Sequence, residues 1–239
     1  MKIGITERGD AGLDFIWTKF NGPKILITKS PQNFLNPFND LAYDFNNCII
    51  HCTITGLGGS IWEPNVAPLD ITILAYNRLI DILGEERVVL RIDPIIIGVS
   101  ENNLLKILDA VRGRLRISFL DMYDHVRERL SSQKMEIPNA HENFHADLDI
   151  RKKCLSEIEF YFMEKHFEKD VEICGEPGLN CTGCVSERDF SALNLPFPNS
   201  DERGKQRKFC HCAAEKMELL SNKHPCMHNC IYCYWRNKC

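Results

Sequence analysis

The run "CMHNCIYCYW" (226–235) places Cys226, Cys230 and Cys233 at spacing C-x3-C-x2-C, with Tyr232 directly before the last thiol. Three thiolates this close can wrap one face of a cubane iron–sulfur cluster, ligating three irons and leaving the fourth open. Such clusters are commonly held by four thiolates, so a triplet without an obvious fourth points to an iron that chelates a small ligand. The competing chemistry is a tetrahedral zinc built from the same cysteines with His224 or His228. Upstream, Cys174, Cys181, Cys184, Cys210 and Cys212 supply C-x2-C and C-x-C pairs that suit a second metal or cluster. Without a metal they read as small buried hydrophobes.

The chain that positions these thiols has 239 residues, enough for a full core in one domain or at most two. A net charge of −4 and the lack of a long basic run disfavour a duplex nucleic-acid partner. "MKIGITERGD" at the N-terminus lacks the apolar stretch of a signal peptide, and no apolar run approaches the roughly 18 residues of a membrane span. A cytoplasmic protein with no membrane partner is expected, and there thiols stay reduced. Twelve cysteines in that setting speak for metal or redox chemistry over structural disulfides.

Six short runs read as strands: 2–6, 24–28, 48–55, 87–92, 114–120 and 170–174. Most are almost continuously apolar, the pattern of parallel strands covered on both faces. Between them lie helical stripes. Leu69, Ile73, Tyr76, Ile80 and Leu83 form the first, closed by Gly84. Leu104, Leu105, Leu108 and Val111 form the second, ended by Gly113, and Leu148, Leu155, Ile158 and Phe162 the third. Alternating strand and helix predicts an α/β fold, a parallel barrel or part of one, over residues 1–174. Residues 175–239 are rich in Gly, Pro, Asn, Ser and Cys. They predict an irregular extension within the same structural unit, carrying the cluster loop.

C-x3-C-x2-C with an aromatic before its last cysteine resembles the signature of the radical S-adenosylmethionine superfamily. "ILITKSP" (25–31), "CTITGLGGSIWEPNVAP" (52–68) and "RIDPIIIG" (91–98) look like consecutive strand blocks of its spore photoproduct lyase-like branch, and "GITERGDAG" (4–12) sits where that branch has its second strand. In that superfamily the triplet follows the first strand, whereas here it comes last. The resemblance therefore implies a partial (β/α)6-type TIM-like barrel, circularly permuted, whose first and last strands are neighbours. It covers residues 1–120 and 226–235. The stretch 125–225 lies outside it, except that "CHC" followed by the triplet is similar to a cysteine-rich family of uncharacterised relatives.

The resemblance implies a [4Fe-4S] cluster on Cys226, Cys230 and Cys233 and S-adenosylmethionine on the open iron. One electron from a reductase or flavodoxin-type donor would then release a 5′-deoxyadenosyl radical, chemistry that belongs to the cofactor. Ligand groups are expected at the carboxyl ends of the strands. Thr6 and Glu7 would meet the methionyl amino group, and Lys29 a carboxylate. Thr53 and Thr55, two residues apart on one strand face, would reach the carboxylate or ribose, and Tyr232 would pack on adenine. Arg91 and Asp93 share the same spacing, and charges inside an apolar strand must be paired or functional. Asp93, Asp121 and Glu176 suit a neutral or cationic small molecule with N–H donors. The expected reaction is a lyase cleavage of a C–N bond in a small deazapurine, queuine, giving 7-aminomethyl-7-deazaguanine in queuosine salvage. The alternatives are a DNA-lesion repair enzyme of the lyase branch and a non-catalytic zinc-stapled binding module. Tyr123 and Tyr234 are candidates for quenching the radical, and His51 reads as a core or surface histidine.

Overall fold

A computed structural model describes residues 2–37, 41–137, 143–165, 170–197, 211–212, 215–220 and 226–235. Strands β1 (Lys2–Ile5), β2 (Lys24–Thr28), β3 (Cys48–Thr53), β4 (Val88–Ile95), β5 (Arg114–Phe119) and β6 (Val171–Ile173) fall on the six apolar runs. The region just before the triplet contributes a seventh, β7 (Glu215–Glu218). All pair in parallel in one sheet of order β6-β5-β4-β3-β2-β1-β7. β7 lies against β1 in the register Ile3 to Lys216 and Ile5 to Glu218. The apolar pattern predicts no strand at 215–218, because "EKME" is charged at three of four positions. Its backbone pairing, and not its side chains, makes it a strand.

Sequential strands lie side by side, so each crossover moves one step the same way across the sheet. Right-handed connections then put the helices on one face. Three helices, α1 (Leu69–Leu83), α2 (Glu101–Asp109) and α4 (Leu148–Glu164), pack there on Leu26, Ile50, Leu90, Leu115 and Ile117. Leu105 points to solvent at 59% exposure, and Ile107 takes its place in the core, a one-face correction of the expected α2 stripe. The opposite face presents Ile3, Ile5, Ile25, Ile27, Ile49 and Val89. It is covered by the irregular segment around Cys184, Val185, Cys212 and α5 (Glu187–Ala192).

A third apolar cluster caps the carboxyl ends of the strands. Leu57, Val66, Ile96 and Leu120 from the strand-end loops join Val126 and Leu130 of α3 (Asp124–Ser132), and Cys230, Ile231 and Tyr232 pack into them. Each large side chain buried this way contributes about 1.5–3 kcal/mol. The triplet loop is therefore held over the strand ends by apolar burial before any ligand is considered. No helix among the described residues is long and apolar enough to cross a membrane.

A candidate cofactor site at the carboxyl ends of the strands

The triplet loop is tied down backbone group by backbone group. Ile231 donates its amide to the Trp62 carbonyl (3.0 Å), and the Asn65 side-chain amide donates to the Met227 carbonyl (2.7 Å). Arg129 on α3 donates to the Ile231 carbonyl (2.8 Å) and to that of Cys233. The loop turns at Asn229, whose φ of 56° suits a short polar side chain. On the other side His228, 3% exposed, sets Nε2 2.7 Å from Asp10 Oδ2 and Nδ1 3.4 Å from the Asn65 carbonyl. Asp10 also accepts from the amides of Gly12 (2.7 Å) and Lys29 (2.6 Å) and from the Thr28 hydroxyl (2.6 Å). Burial would raise the Asp10 carboxyl, but His228 first, then the Thr28 hydroxyl and the Lys29 amide, hold it below the ordinary value. Both nitrogens of His228 thus face partners other than the thiols, so it is not placed as the fourth zinc ligand; His224 lies outside the described residues.

Beneath the thiols sits a buried charge pair. Lys29 donates to Glu63 at 2.7 Å, with the Glu63 side chain only 1% exposed. The Tyr232 hydroxyl donates to the same carboxylate oxygen, and Thr55 also bonds Glu63. Burial alone would raise the Glu63 carboxyl, but Lys29 and these bonds hold it below the usual range. The Lys29 ammonium stands 5.6 Å from the Tyr232 ring centroid, a cation–π approach. Gly58 makes this loop possible: a Cβ there would meet the Ala67 carbonyl oxygen at 2.1 Å. Burial pushes the Cys226 thiol up to about 11 and Cys230 to about 12, while Lys29 draws both down. Cys226 and Cys230 therefore keep their protons as free thiols, and a thiophilic metal would displace them.

The other expected residues divide among several duties. Thr53 accepts from Arg91 (3.5 Å), which is ion-paired with Asp93. The Thr6 hydroxyl accepts the Ile27 amide (2.7 Å), stitching β1 to β2. His145 Nδ1 lies 2.8 Å from Asp121 Oδ1, and the Asp121 amide donates to the Tyr234 hydroxyl (2.8 Å). Tyr234 packs edge-on to Tyr123. Glu176 accepts the Phe119 amide (2.7 Å) and pairs with Arg151 (3.0 Å), so its oxygens brace the start of α4. Glu7 turns away from Lys29 and Glu63. It pairs with Lys216 of β7 (2.7 Å) and accepts from the Cys184 thiol (3.0 Å). Burial and the Cys184 sulfur push its carboxyl up to about 8.

Cys184 lies 3.3 Å from the Cys212 sulfur and also hydrogen-bonds Cys174. These two thiols, with Lys216, hold Cys184 well below the ordinary thiol value. Cys181 exchanges hydrogen bonds with the Glu176 backbone instead, and Cys210 is outside the described residues. Among the described residues no three Cys, His, Asp or Glu side chains already surround one point as ligands of a single ion. A cubane's thiolates sit on separate irons, a wider arrangement, and the triplet beside Lys29, with Cys230 buried and Cys226 and Cys233 half-buried, fits that donor set.

The segment bearing Cys184 is fixed by a charge network that residue spacing does not reveal. Arg114 binds Glu172 (2.8 Å) and Asp189 (2.8 Å), and Arg116 binds Glu172 and the Cys184 carbonyl (3.1 Å). Ser186 and Asp189 form the capping box of α5, so the helix start is docked on the two arginines. Arg116 also donates to His51 (3.1 Å), and burial beside it pulls His51 well down, leaving a neutral core imidazole. Glu63, Asp10 and Asp189 are likewise absent from the expected site. The alternation Arg114, Arg116 in β5 is the one signal the sequence offers, since two inward arginines require acids from elsewhere.

No curated protein and no solved structure matches the chain. Residues 24–235 match the family described as "Domain of unknown function (DUF1848)", and the chain belongs to it.

Proposed function

We propose that this protein is a radical S-adenosylmethionine lyase on a permuted partial barrel, acting on a small deazapurine, with queuine as the substrate to test first. The observation that carries the reading is the place of β7. Renumbered as the first strand, it precedes β1 to β6 in unbroken spatial order, and the triplet loop follows it directly. That is the order of elements the superfamily resemblance requires, with the chain cut open between β7 and β1. Capping of the strand ends by Cys230, Ile231 and Tyr232 adds to it, since ligands gather at that end of parallel strands.

Cys226, Cys230 and Cys233 would hold the [4Fe-4S] cluster, and Lys29, Thr53, Thr55, Arg91 and Tyr232 would face S-adenosylmethionine. Once bound, the pair supplies a carbon-centred radical by one-electron cleavage of a carbon–sulfur bond. The chain's own tasks are to bind, orient and keep water out. Lys29 and Arg91 offer cationic donors to a carboxylate. Glu63 fixes both Lys29 and the Tyr232 ring, and Leu57, Val66 and Ile96 seal the loop's underside. Asp93, ion-paired with Arg91, and Asp121, beside His145, would offer their other lone pairs to N–H groups of the substrate. Thr6 and Glu176 already bond the Ile27 amide and the Phe119 amide with Arg151, so they would meet a ligand only through their remaining lone pairs.

Anaerobic reconstitution with iron and sulfide, then dithionite and S-adenosylmethionine, tests the reading. 5′-Deoxyadenosine that depends on the three cysteines and rises with queuine supports it whole. 5′-Deoxyadenosine indifferent to queuine keeps the chemistry and rejects the substrate. A colourless protein holding only zinc at the triplet rejects both in favour of a stapled binding module.

A further inference from the structure

The cysteines outside the triplet sort by what surrounds each sulfur. Cys48, Cys52 and Cys154 lie in the apolar core between sheet and helices, where burial raises each thiol and leaves it inert. Cys181 exchanges hydrogen bonds with the Glu176 backbone. Cys184 and Cys212 differ: their sulfurs are 3.3 Å apart, although 28 residues separate them along the chain. Cys184 belongs to the loop before α5, and Cys212 stands three residues before β7. Gly183, with φ +81°, permits the approach, since a Cβ there would meet the Cys212 amide nitrogen and the His211 carbonyl carbon at 2.8 Å. Backbones in contact next to both residues favour the short Cα separation, under roughly 7 Å, that a disulfide requires.

We propose that Cys184 and Cys212 are a redox-active pair that hydrogen peroxide converts to a disulfide within the folded chain, Cys184 being the thiol that attacks. Two neighbours single out Cys184. Lys216 sets Nζ 3.3 Å from its sulfur, where an ammonium favours the thiolate. The Cys184 thiol donates to Glu7 Oε1 at 3.0 Å, which gives its proton a place to go. The two residues are 2% and 0% exposed, so the oxidant must be small, and peroxide is little larger than water. The Cys184 sulfur attacks one peroxide oxygen, the O–O bond breaks, and the departing hydroxide leaves as water with the proton taken from the thiol. The Cys212 sulfur then attacks the Cys184 sulfenic acid, the S–O bond breaks, and a second water carries away the Cys212 proton. Two thiols and one peroxide thus give one disulfide and two waters, each thiol giving up one electron to the peroxide oxygens. The sulfurs need to close by only about 1.3 Å to reach bonding distance. The new bond fastens the segment that covers the sheet opposite α1, α2 and α4 to the approach to β7. Nothing in this pair depends on the radical chemistry proposed above.

The test uses the full chain with Cys226→Ala, Cys230→Ala and Cys233→Ala, so that the triplet thiols do not react. It is treated with hydrogen peroxide while circular dichroism follows the fold, quenched with N-ethylmaleimide in acidic denaturant, and peptide-mapped without reduction. Expected is a peptide pair joined through Cys184 and Cys212, lighter than its parts by two hydrogen atoms and separated again by dithiothreitol. The linked chain should melt about 5–10 °C higher, since the bond closes a long loop in the unfolded chain. Adding Lys216→Met should slow the linkage about 10-fold. Adding Cys212→Ser should leave Cys184 without its partner, so that it gains oxygen and reaches the sulfinic acid. The proposal is overturned if Cys184 is joined to Cys174 or Cys181 instead, if both thiols survive peroxide in the folded chain, or if the link forms only as the fold is lost. The map is read with both thiols present, so the result does not hang on how a variant at either position folds.

Discussion

A carboxylate 1% exposed beneath three thiols is tolerable only because Lys29 neutralises it, and that pair is where single substitutions should speak most clearly. On the proposed reading Lys29→Met should leave iron content intact yet cut 5′-deoxyadenosine formation by about 10–100-fold, since Lys29 would support the cluster's ligand and not the cluster itself. Iron analysis beside the activity assay separates the two. Glu63→Ala leaves a buried ammonium unpaired and should cost about 3 kcal/mol, read as a fall of roughly 6–12 °C in Tm. Any one of Cys226→Ala, Cys230→Ala or Cys233→Ala should strip iron instead, with little change in Tm of the metal-free protein. A triplet that bound iron equally well with two thiols would contradict the proposed cluster.

Elements here are positioned by charges and close approaches as much as by apolar stripes. α5 is one short helix whose capping residue Asp189 is also the counter-ion of Arg114 and Arg116. Asp189→Asn should therefore destabilise by about 3–5 kcal/mol at neutral pH. The two arginines hold the Asp189 carboxyl below its ordinary value of 3.8. A depressed carboxyl stabilises fully above its unfolded value and loses that contribution as pH falls through the folded one. The gap in Tm between the natural chain and Asp189→Asn should accordingly be constant above about pH 5 and close below about pH 4. In the loop after β3, Gly58→Ala drives a methyl into the Ala67 carbonyl and should displace the strand-end loop bearing Glu63. Lost S-adenosylmethionine binding in calorimetry, with most stability kept, is the outcome to look for.

At the scale of the molecule, the sheet order makes a prediction about the chain's connectivity. If β7 is a first strand placed last, residues 211–239 can be moved ahead of Met1 through a flexible linker. The linker must run back the length of a strand, about 13 Å for four residues, which some ten to twelve glycine–serine residues span. The rearranged chain should keep its far-ultraviolet circular dichroism and bind iron with the same stoichiometry. An insoluble or iron-free product would show that the sequence order of the strands is required for the fold. α1, α2 and α4 share one face of the sheet and the ion-paired segment with α5 covers the other, so the cut leaves the β1-to-β6 units whole.

The sequence by itself determined the local pieces: six apolar strands, three amphipathic helices, Gly84 as the end of α1, and a thiol triplet whose spacing is short enough to be read along the chain. Those signals are local because apolar periodicity and a ten-residue motif need no partner to be recognised. Parallel pairing was also legible, since strands covered on both faces cannot alternate. Tertiary structure alone decided the rest. "EKME" becomes β7 only against β1, Asp10 and His228 meet across most of the chain, and Glu63 becomes a buried anchor only under Tyr232. It likewise parted Cys184 from Cys181, three residues away, giving one to Cys212 and the other to the Glu176 backbone. Side-chain pairing between distant segments depends on which faces the sheet brings together, and spacing along the chain carries no record of that.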